Sequence, residues 1–183
     1  DVEGNLKKMF TSEDTFKNLT LYKTTYNTFT KSWGTPTSYG VLPEDQWYSV
    51  DMESYEAVYG WGTARFCVKK EGSAPVLYAL DTTSTKMTAP RTTKVGMSGE
   101  DVMAKFRDLG QAALNDTGDR LLYNWNSANQ QFGTYRSQDD GTFVIHYYDP
   151  VDEKASIFVE LSYYLDADGN VKRIVWQRYL SET

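Results

Sequence analysis

The stretch SIFVELSYYLDADGNVKRIVWQRYL, residues 156–180, indicates the fold most directly. It contains two runs, Ser156–Leu165 and Val171–Leu180, that are rich in the aromatic and β-branched residues typical of strands. The segment between them, DADGN at 166–170, has the composition of a tight turn. The sequence therefore predicts an antiparallel hairpin near the end of the chain.

The DADGN turn also begins like a calcium-binding loop. An EF-hand loop needs Gly at its sixth position and Glu at its twelfth, whereas Val171 and Gln177 stand there. The chain has one Cys and one His, too few for a cluster of Cys and His ligands or for a disulfide framework. It also lacks a glycine-rich phosphate loop. We therefore predict no metal ion and no cofactor.

Alternation along residues 157–165 predicts which face of this strand is buried. The odd positions, from Ile157 to Leu165, are large and mostly apolar, and we expect them to face a layer of helices. The even positions form the opposite face, and a mixture of Tyr, Trp, Arg and Glu is typical both of interfaces and of ordinary solvated sheets. The candidate binding residues for that face are Tyr148, Phe158, Tyr164, Trp176 and Arg178.

Aromatic residues are abundant throughout the chain. The 183 residues include 14 Tyr, 8 Phe and 5 Trp, together 15% of the sequence. Tyr suits half-buried sheet positions, because its ring packs while its hydroxyl stays hydrated. Further strands are predicted at 46–50, 56–59, 64–69, 76–80, 121–125, 131–136 and 142–148.

A helix is predicted before each of two groups of strands. In the first, Thr24 or Thr25 offers an N-cap, and Phe29 and Trp33 lie four residues apart on one face before Gly34. The second helix follows the same plan, with Ser98 as its cap, Val102 and Phe106 four apart, and Gly110 at its end.

The two segments align with each other, and this similarity predicts a tandem repeat. The predicted fold class is α+β, with two tandem units that each pack a helical segment on an antiparallel meander sheet. The units are residues 19–90 and 91–183. They follow an N-terminal helical or flexible segment, residues 1–18, in which Leu6, Met9 and Phe10 have helical spacing.

The motif VGMSGEDV at 95–102 resembles the G-M-(S/T)-x-x-(D/E)-V opening of small bacterial envelope domains. These are the outer-membrane assembly lipoproteins of the SmpA/OmlA type and the beta-lactamase inhibitor protein (BLIP) family. The hairpin YLDADGNV at 164–171 is similar to the ending of such domains. The first half of the chain has Lys23 and Thr24 in place of Gly96 and Met97. The resemblance implies tandem helix-plus-sheet units and an envelope location, and it does not imply that a beta-lactamase is the partner.

Charge and hydropathy exclude some classes of partner. The formal net charge is −6 and there is no basic run, which argues against nucleic acid and against anionic membrane surfaces. No apolar stretch approaches the ~20 residues of a spanning helix, so we predict no transmembrane span. The low Cys content, the acidic balance and a start at Asp1 without a leader favour a mature extracytoplasmic protein, secreted or lipid-anchored at the cell surface.

The chain contains a cysteine, a histidine and several carboxylates that could act in catalysis or serve a structural role. Cys67 lies in a strand-like stretch and is predicted to be a small core residue rather than a nucleophile. The chain has no G-x-S-x-G stretch that would pair His146 with a nucleophilic serine, so His146 is predicted to be a structural or surface residue. Paired carboxylates are the remaining option for an enzyme, and the candidates are Glu53, Glu56, Asp149 and Glu160.

The sequence therefore predicts no catalytic residues. It predicts a non-catalytic extracytoplasmic binding module that contacts a protein partner through an aromatic sheet face. The alternatives are a small carboxylate-dependent carbohydrate hydrolase and a structural envelope lipoprotein domain.

Overall fold

Nine strands form one antiparallel sheet in the described part of the chain, in the order β1-β2-β3-β4-β9-β8-β7-β6-β5. The structure is a computed structural model and describes residues 9–110, 118–125, 131–152, 154 and 156–181. The strands are β1 (Ser38–Val41), β2 (Ser54–Tyr59), β3 (Gly62–Cys67), β4 (Val76–Thr82), β5 (Arg120–Trp125), β6 (Gln131–Ser137), β7 (Phe143–Asp152), β8 (Ile157–Leu165) and β9 (Val171–Leu180).

The predicted division into two tandem helix-plus-sheet units is wrong. Strands β4 and β9, from the two predicted units, pair directly from Ala79 opposite Gln177 to Thr82 opposite Ile174. Each would be an edge strand in a separate unit, with unpaired N–H and C=O groups, and their pairing satisfies those groups. One hydrophobic core also runs across both halves. The molecule is mostly sheet, so the α+β class is wrong as well.

Helices are few and short in the described residues. They are α1 (Tyr26–Trp33), α2 (Gly99–Ala104) and two 3₁₀ helices, Glu44–Gln46 and Pro90–Thr92.

The start of each predicted helix is confirmed, but one predicted end is wrong. The Thr25 side chain accepts a hydrogen bond from the Thr28 N–H, and Gly34 ends α1 at a positive φ of 80°. Ser98 likewise accepts from the Asp101 N–H at the start of α2. Helix α2 ends at Ala104, well before Gly110. Between Ala104 and Gly110, the Leu109 N–H donates to the Leu122 carbonyl of β5. The backbone therefore joins the sheet edge instead of continuing the helix.

The N-terminal segment, here residues 9–24, covers one face of the sheet together with the helices. Met9 and Phe10 are buried but lie outside any helix, and Leu6, the first residue of the predicted amphipathic spacing, lies outside the described residues. Arg91 holds the segment in place: its guanidinium bonds both Asp14 carboxylate oxygens at 3.0 Å and lies 4.4 Å from the centre of the Phe106 ring. On the other face of the sheet, side chains of the central strands such as Tyr148, Tyr164 and Arg173 are partly exposed.

Candidate functional site

The open face is our name for the side of the sheet opposite the core. Cross-strand partners in an antiparallel sheet point to the same side, so the register identifies its members. One row across the sheet contains Tyr148, Glu160 and Gln177. The next row contains His146 and Ser162. Polar and aromatic side chains from three adjacent strands are thus brought together at the centre of the sheet.

The predicted alternation along β8 is confirmed. Val159, Leu161, Tyr163 and Leu165 are buried in the core, and Ile157 at the strand end is half-buried. The even positions lie on the open face, where Phe158 and Tyr164 are partly exposed.

Three of the five predicted binding residues share the open face, and two do not. Tyr148, Phe158 and Tyr164 lie on it and are partly exposed. Trp176 is 1% exposed and stacks on Phe16 in the core, with the ring centres 5.0 Å apart. Its placement on the open face is therefore wrong.

Arg178 is two residues beyond Trp176, and alternation along β9 gives it the same side of the sheet. Its guanidinium lies 4.1 Å from the centre of the Tyr22 ring, and its Nε donates to the Tyr48 hydroxyl at 2.9 Å. The placement of Arg178 with Tyr164 is therefore wrong too.

A β-bulge explains both errors. The register shifts between Tyr164 and Leu165, so that Tyr164 faces Arg173 while Leu165 faces Val171. One extra residue in a strand inverts which of the following residues point inward. Trp176 consequently lies opposite the buried Leu161.

The open face also contains residues that the sequence did not predict, and the bulge accounts for two of them, Tyr179 and Arg173. Tyr179 lies beside Phe158, with ring centres 5.9 Å apart, and the Arg173 guanidinium lies 4.7 Å from the centre of the Tyr164 ring. Phe132 of β6 stacks on Tyr148, with ring centres 4.6 Å apart. Alternation along β9 and β6 is the signal that identifies these residues once the bulge is known.

A hydrogen-bonded chain of polar side chains crosses the centre of the open face. The Ser162 hydroxyl donates to Glu160 Oε2 at 2.8 Å and lies 2.6 Å from His146 Nδ1. Since its one proton goes to Glu160, Ser162 accepts from His146, which places the proton of the neutral imidazole on Nδ1. Gln177 Nε2 donates to Glu160 Oε1 at 2.6 Å, and the Tyr148 hydroxyl donates to Oε2 at 3.3 Å.

A serine, a histidine and a carboxylate also form catalytic triads, but their order along the hydrogen-bonded chain is different here. In a triad the imidazole lies between the hydroxyl and the carboxylate. Here the hydroxyl of Ser162 lies between His146 and Glu160, and Ser162 is fully buried. The arrangement therefore positions Glu160 and leaves the serine oxygen without access to a substrate.

The carboxylates predicted for a hydrolase are held apart by the fold. Glu160 is on the open face, whereas Asp149 lies opposite the buried Val159 and accepts from the Ser12 N–H at 2.7 Å. Glu56 pairs with Arg65 at 2.9 Å. Glu53 accepts from the Tyr55 hydroxyl.

Cys67 is a buried core residue, as predicted. It is a free thiol and belongs to a small cluster with Tyr48, Val76 and Tyr78. Burial raises the pKa of the Cys67 thiol to about 11, against a smaller lowering effect of Arg178 and Lys69. The reactive thiolate is therefore disfavoured at neutral pH.

A cavity of about 270 Å³, the central groove, opens beside Glu160. Ala79 of β4 and Val175 of β9, which lie on adjacent strands, have short side chains that leave this space open. Apart from Leu80, its other lining residues are polar or aromatic: Thr63, Arg65, Asp81, Glu160, Tyr164, Arg173 and Gln177.

His146 provides a test of the polar chain through its response to pH. Burial lowers the pKa of His146 below 6.5, opposed by Glu160 and assisted by Arg136. The unfolded chain therefore takes up a proton first as the pH falls. The free energy of unfolding that neutral His146 contributes is complete above pH 6.5 and is lost as the pH falls toward the lowered pKa.

We expect urea denaturation of the wild-type protein to show falling stability between pH 7 and pH 5. The His146→Asn variant, which cannot titrate in this range, is the comparison and should show a shallower decline. Parallel curves for the two proteins would contradict the assignment of a buried, neutral imidazole.

Comparison of the chain with protein-family models, with curated proteins and with solved structures gave no match. Among the described residues, no group of three or more His, Cys, Asp or Glu side chains is arranged to hold a metal ion. The helices in the same part of the chain are too short or too polar to cross a bilayer. The geometry of the open face is therefore the basis for a functional proposal.

Proposed function

We propose that the protein is a non-catalytic binding module of the bacterial cell envelope or exterior, and that its open face binds a protein partner. The observation that carries this proposal is the set of partly exposed aromatic side chains on the open face, Tyr148, Phe158 and Tyr164, of which Tyr164 lines the central groove. Large aromatic residues and Arg dominate the binding energy of protein interfaces.

The aromatic side chains are held in place before any partner binds. Tyr148 stacks on Phe132, Phe158 stacks on Tyr179, and the Tyr164 ring contacts the Arg173 guanidinium. Side chains with restricted rotamers lose little conformational entropy on binding, so more of the contact energy contributes to affinity. Preorganisation of this kind supports a recognition surface over a merely solvated one.

The location is proposed from the sequence. The net charge of −6, the single buried thiol and the resemblance of VGMSGEDV at 95–102 to envelope domains support an extracytoplasmic site of action. The resemblance to the BLIP and SmpA/OmlA families supports the location and not a particular activity, since one fold hosts many activities.

The experiment is affinity capture from the envelope fraction of the source organism, followed by measurement of affinity for the captured protein. Replacing Tyr164 with Ala should weaken binding by ~2 kcal/mol, roughly thirtyfold, because the ring lies on the proposed surface. The same change should lower the free energy of unfolding by only about 1 kcal/mol, since Tyr164 is partly exposed.

Val41→Ala is the control, because Val41 is an exposed apolar residue of the edge strand β1, with 57% of its surface accessible. Its affinity should equal that of the wild type. If Val41→Ala and Tyr164→Ala weaken binding equally, or if neither does, the open face is not the binding surface.

A further inference from the structure

Glu160 is a carboxylate held almost out of solvent on the open face. It is 8% exposed and accepts hydrogen bonds from Ser162, Gln177 and Tyr148. All three donors are uncharged, so they orient the carboxylate without neutralising it. Removing a carboxylate from water is costly unless a cation compensates for the lost hydration.

The cations near Glu160 have carboxylate partners of their own. Arg173 contacts Asp81 through two hydrogen bonds of 2.7 Å, and Arg65 contacts Glu56 at 2.9 Å. Within the described residues, no Lys or Arg nitrogen lies within 4 Å of Glu160, and its one ion-pair neighbour is His146 at 3.7 Å. The imidazole Nδ1 is used by Ser162. Two guanidinium groups and two carboxylates, Asp81 and Glu160, thus line the groove, and the guanidinium of Arg65 already has Glu56 as its partner.

The central groove gives outside access to this carboxylate. Glu160 and Tyr164 line it together, above the small Ala79 and Val175. An aromatic wall suits the aliphatic stem or the guanidinium of a basic side chain, and a carboxylate at the end suits its charge. Such an occupant would supply the cation that Glu160 lacks.

We propose that the central groove accepts a Lys or Arg side chain of the partner protein, with its charged group at Glu160 and its stem along Tyr164. This inference rests on the proposed function and makes the recognition specific: the partner presents a basic residue to an acidic chain of net charge −6. Complementary charge of this kind fixes the register of an interface and raises the rate of association.

The test uses a displayed library of random peptides as the probe, selected on the wild-type protein and then synthesised singly. Enriched peptides should share a Lys or Arg. Replacing that residue by norleucine or citrulline, which removes the charge, should weaken binding about thirtyfold or more. This change leaves the protein untouched, so it does not depend on how a variant folds.

The matching protein variant is Glu160→Gln, which keeps the shape of the side chain and removes its charge. It should weaken binding of the Lys or Arg peptides to the same degree and have no further effect on the norleucine or citrulline peptides. Binding by the wild type should also weaken with added salt, while the residual binding by Glu160→Gln should change little.

The possible failures are distinguishable. Peptides that lose affinity with Tyr164→Ala but contain no essential basic residue would overturn the groove proposal and leave the open face as the binding surface. Enriched peptides that are indifferent to both Tyr164→Ala and Glu160→Gln would overturn both proposals.

Discussion

Replacing Trp176 with Ala is expected to lower the free energy of unfolding by about 3–5 kcal/mol. Trp176 is 1% exposed, stacks on Phe16 of the N-terminal segment, and lies between Leu161 and Leu80 in the sheet register. Removing the indole leaves a cavity where the segment meets the central strands, and the surroundings relax only in part. Chemical denaturation followed by circular dichroism measures the loss.

Phe158→Ala is the matched control for Trp176→Ala, because it also removes a large aromatic ring from the hairpin. Phe158 is partly exposed on the open face, so its loss should cost about 1 kcal/mol or less. The opposite order of the two effects would show that the faces of β8 and β9 are assigned the wrong way round.

Gly62→Ala should lower the free energy of unfolding by about 2–4 kcal/mol. Gly62 has a φ of 143°, which L-residues with a side chain rarely adopt. A Cβ at this position would also overlap the carbonyl oxygen of Asp81 in the neighbouring strand β4. A backbone atom cannot rotate away, so β3 and β4 would have to separate where Gly62 faces Thr82. Thermal unfolding should show the loss as a lower Tm.

Gly60, in the same turn, offers the control substitution. A Cβ there meets no atom within 4 Å, and Gly60 does not have a positive φ. Gly60→Ala should therefore change stability by less than about 0.5 kcal/mol. Equal losses for the two glycines would mean that the turn as a whole, rather than the close contact at Gly62, limits stability.

Local signals in the sequence predicted local structure well. Thr25 and Ser98 mark the starts of α1 and α2, and the DADGN turn joins β8 to β9. These features depend on hydrogen bonds within a few residues, which composition reports directly. The strand predicted at 46–50 is instead the last residue of the 3₁₀ helix Glu44–Gln46 followed by bends and a turn, and the Trp47 indole N–H donates to the Leu42 carbonyl to close this loop. The four-residue strand β1 (Ser38–Val41) carries too short a pattern to be predicted.

The sheet as a whole depends on pairing between residues far apart in the chain. The contact of β4 with β9 joins Ala79 to Gln177, and neither strand's own pattern specifies its neighbour. Two groups of strands, each preceded by a helix, are as compatible with two separate units as with one joined sheet. The energetic advantage of joining their free edges is therefore visible only in the assembled sheet.

The candidate site was predicted in part for the same reason. Alternation along one strand sufficed for Phe158 and Tyr164. The assignment of Trp176 and Arg178 required the position of a bulge, which shifts pairing by one residue and carries no clear signal in the sequence. Predicting the central groove requires the register of several strands at once. The sequence alone therefore could not show that Glu160 lies beside residues of neighbouring strands.

Hydroxyl-radical footprinting of the protein with and without its captured partner tests the open face most directly, because it measures the solvent access of individual side chains. On binding, oxidation of Tyr148, Phe158 and Tyr164 should fall severalfold, while that of Trp33 on α1, a helix packed against the core face, should stay unchanged. Protection of Trp33 with unchanged oxidation of the three open-face residues would contradict the account.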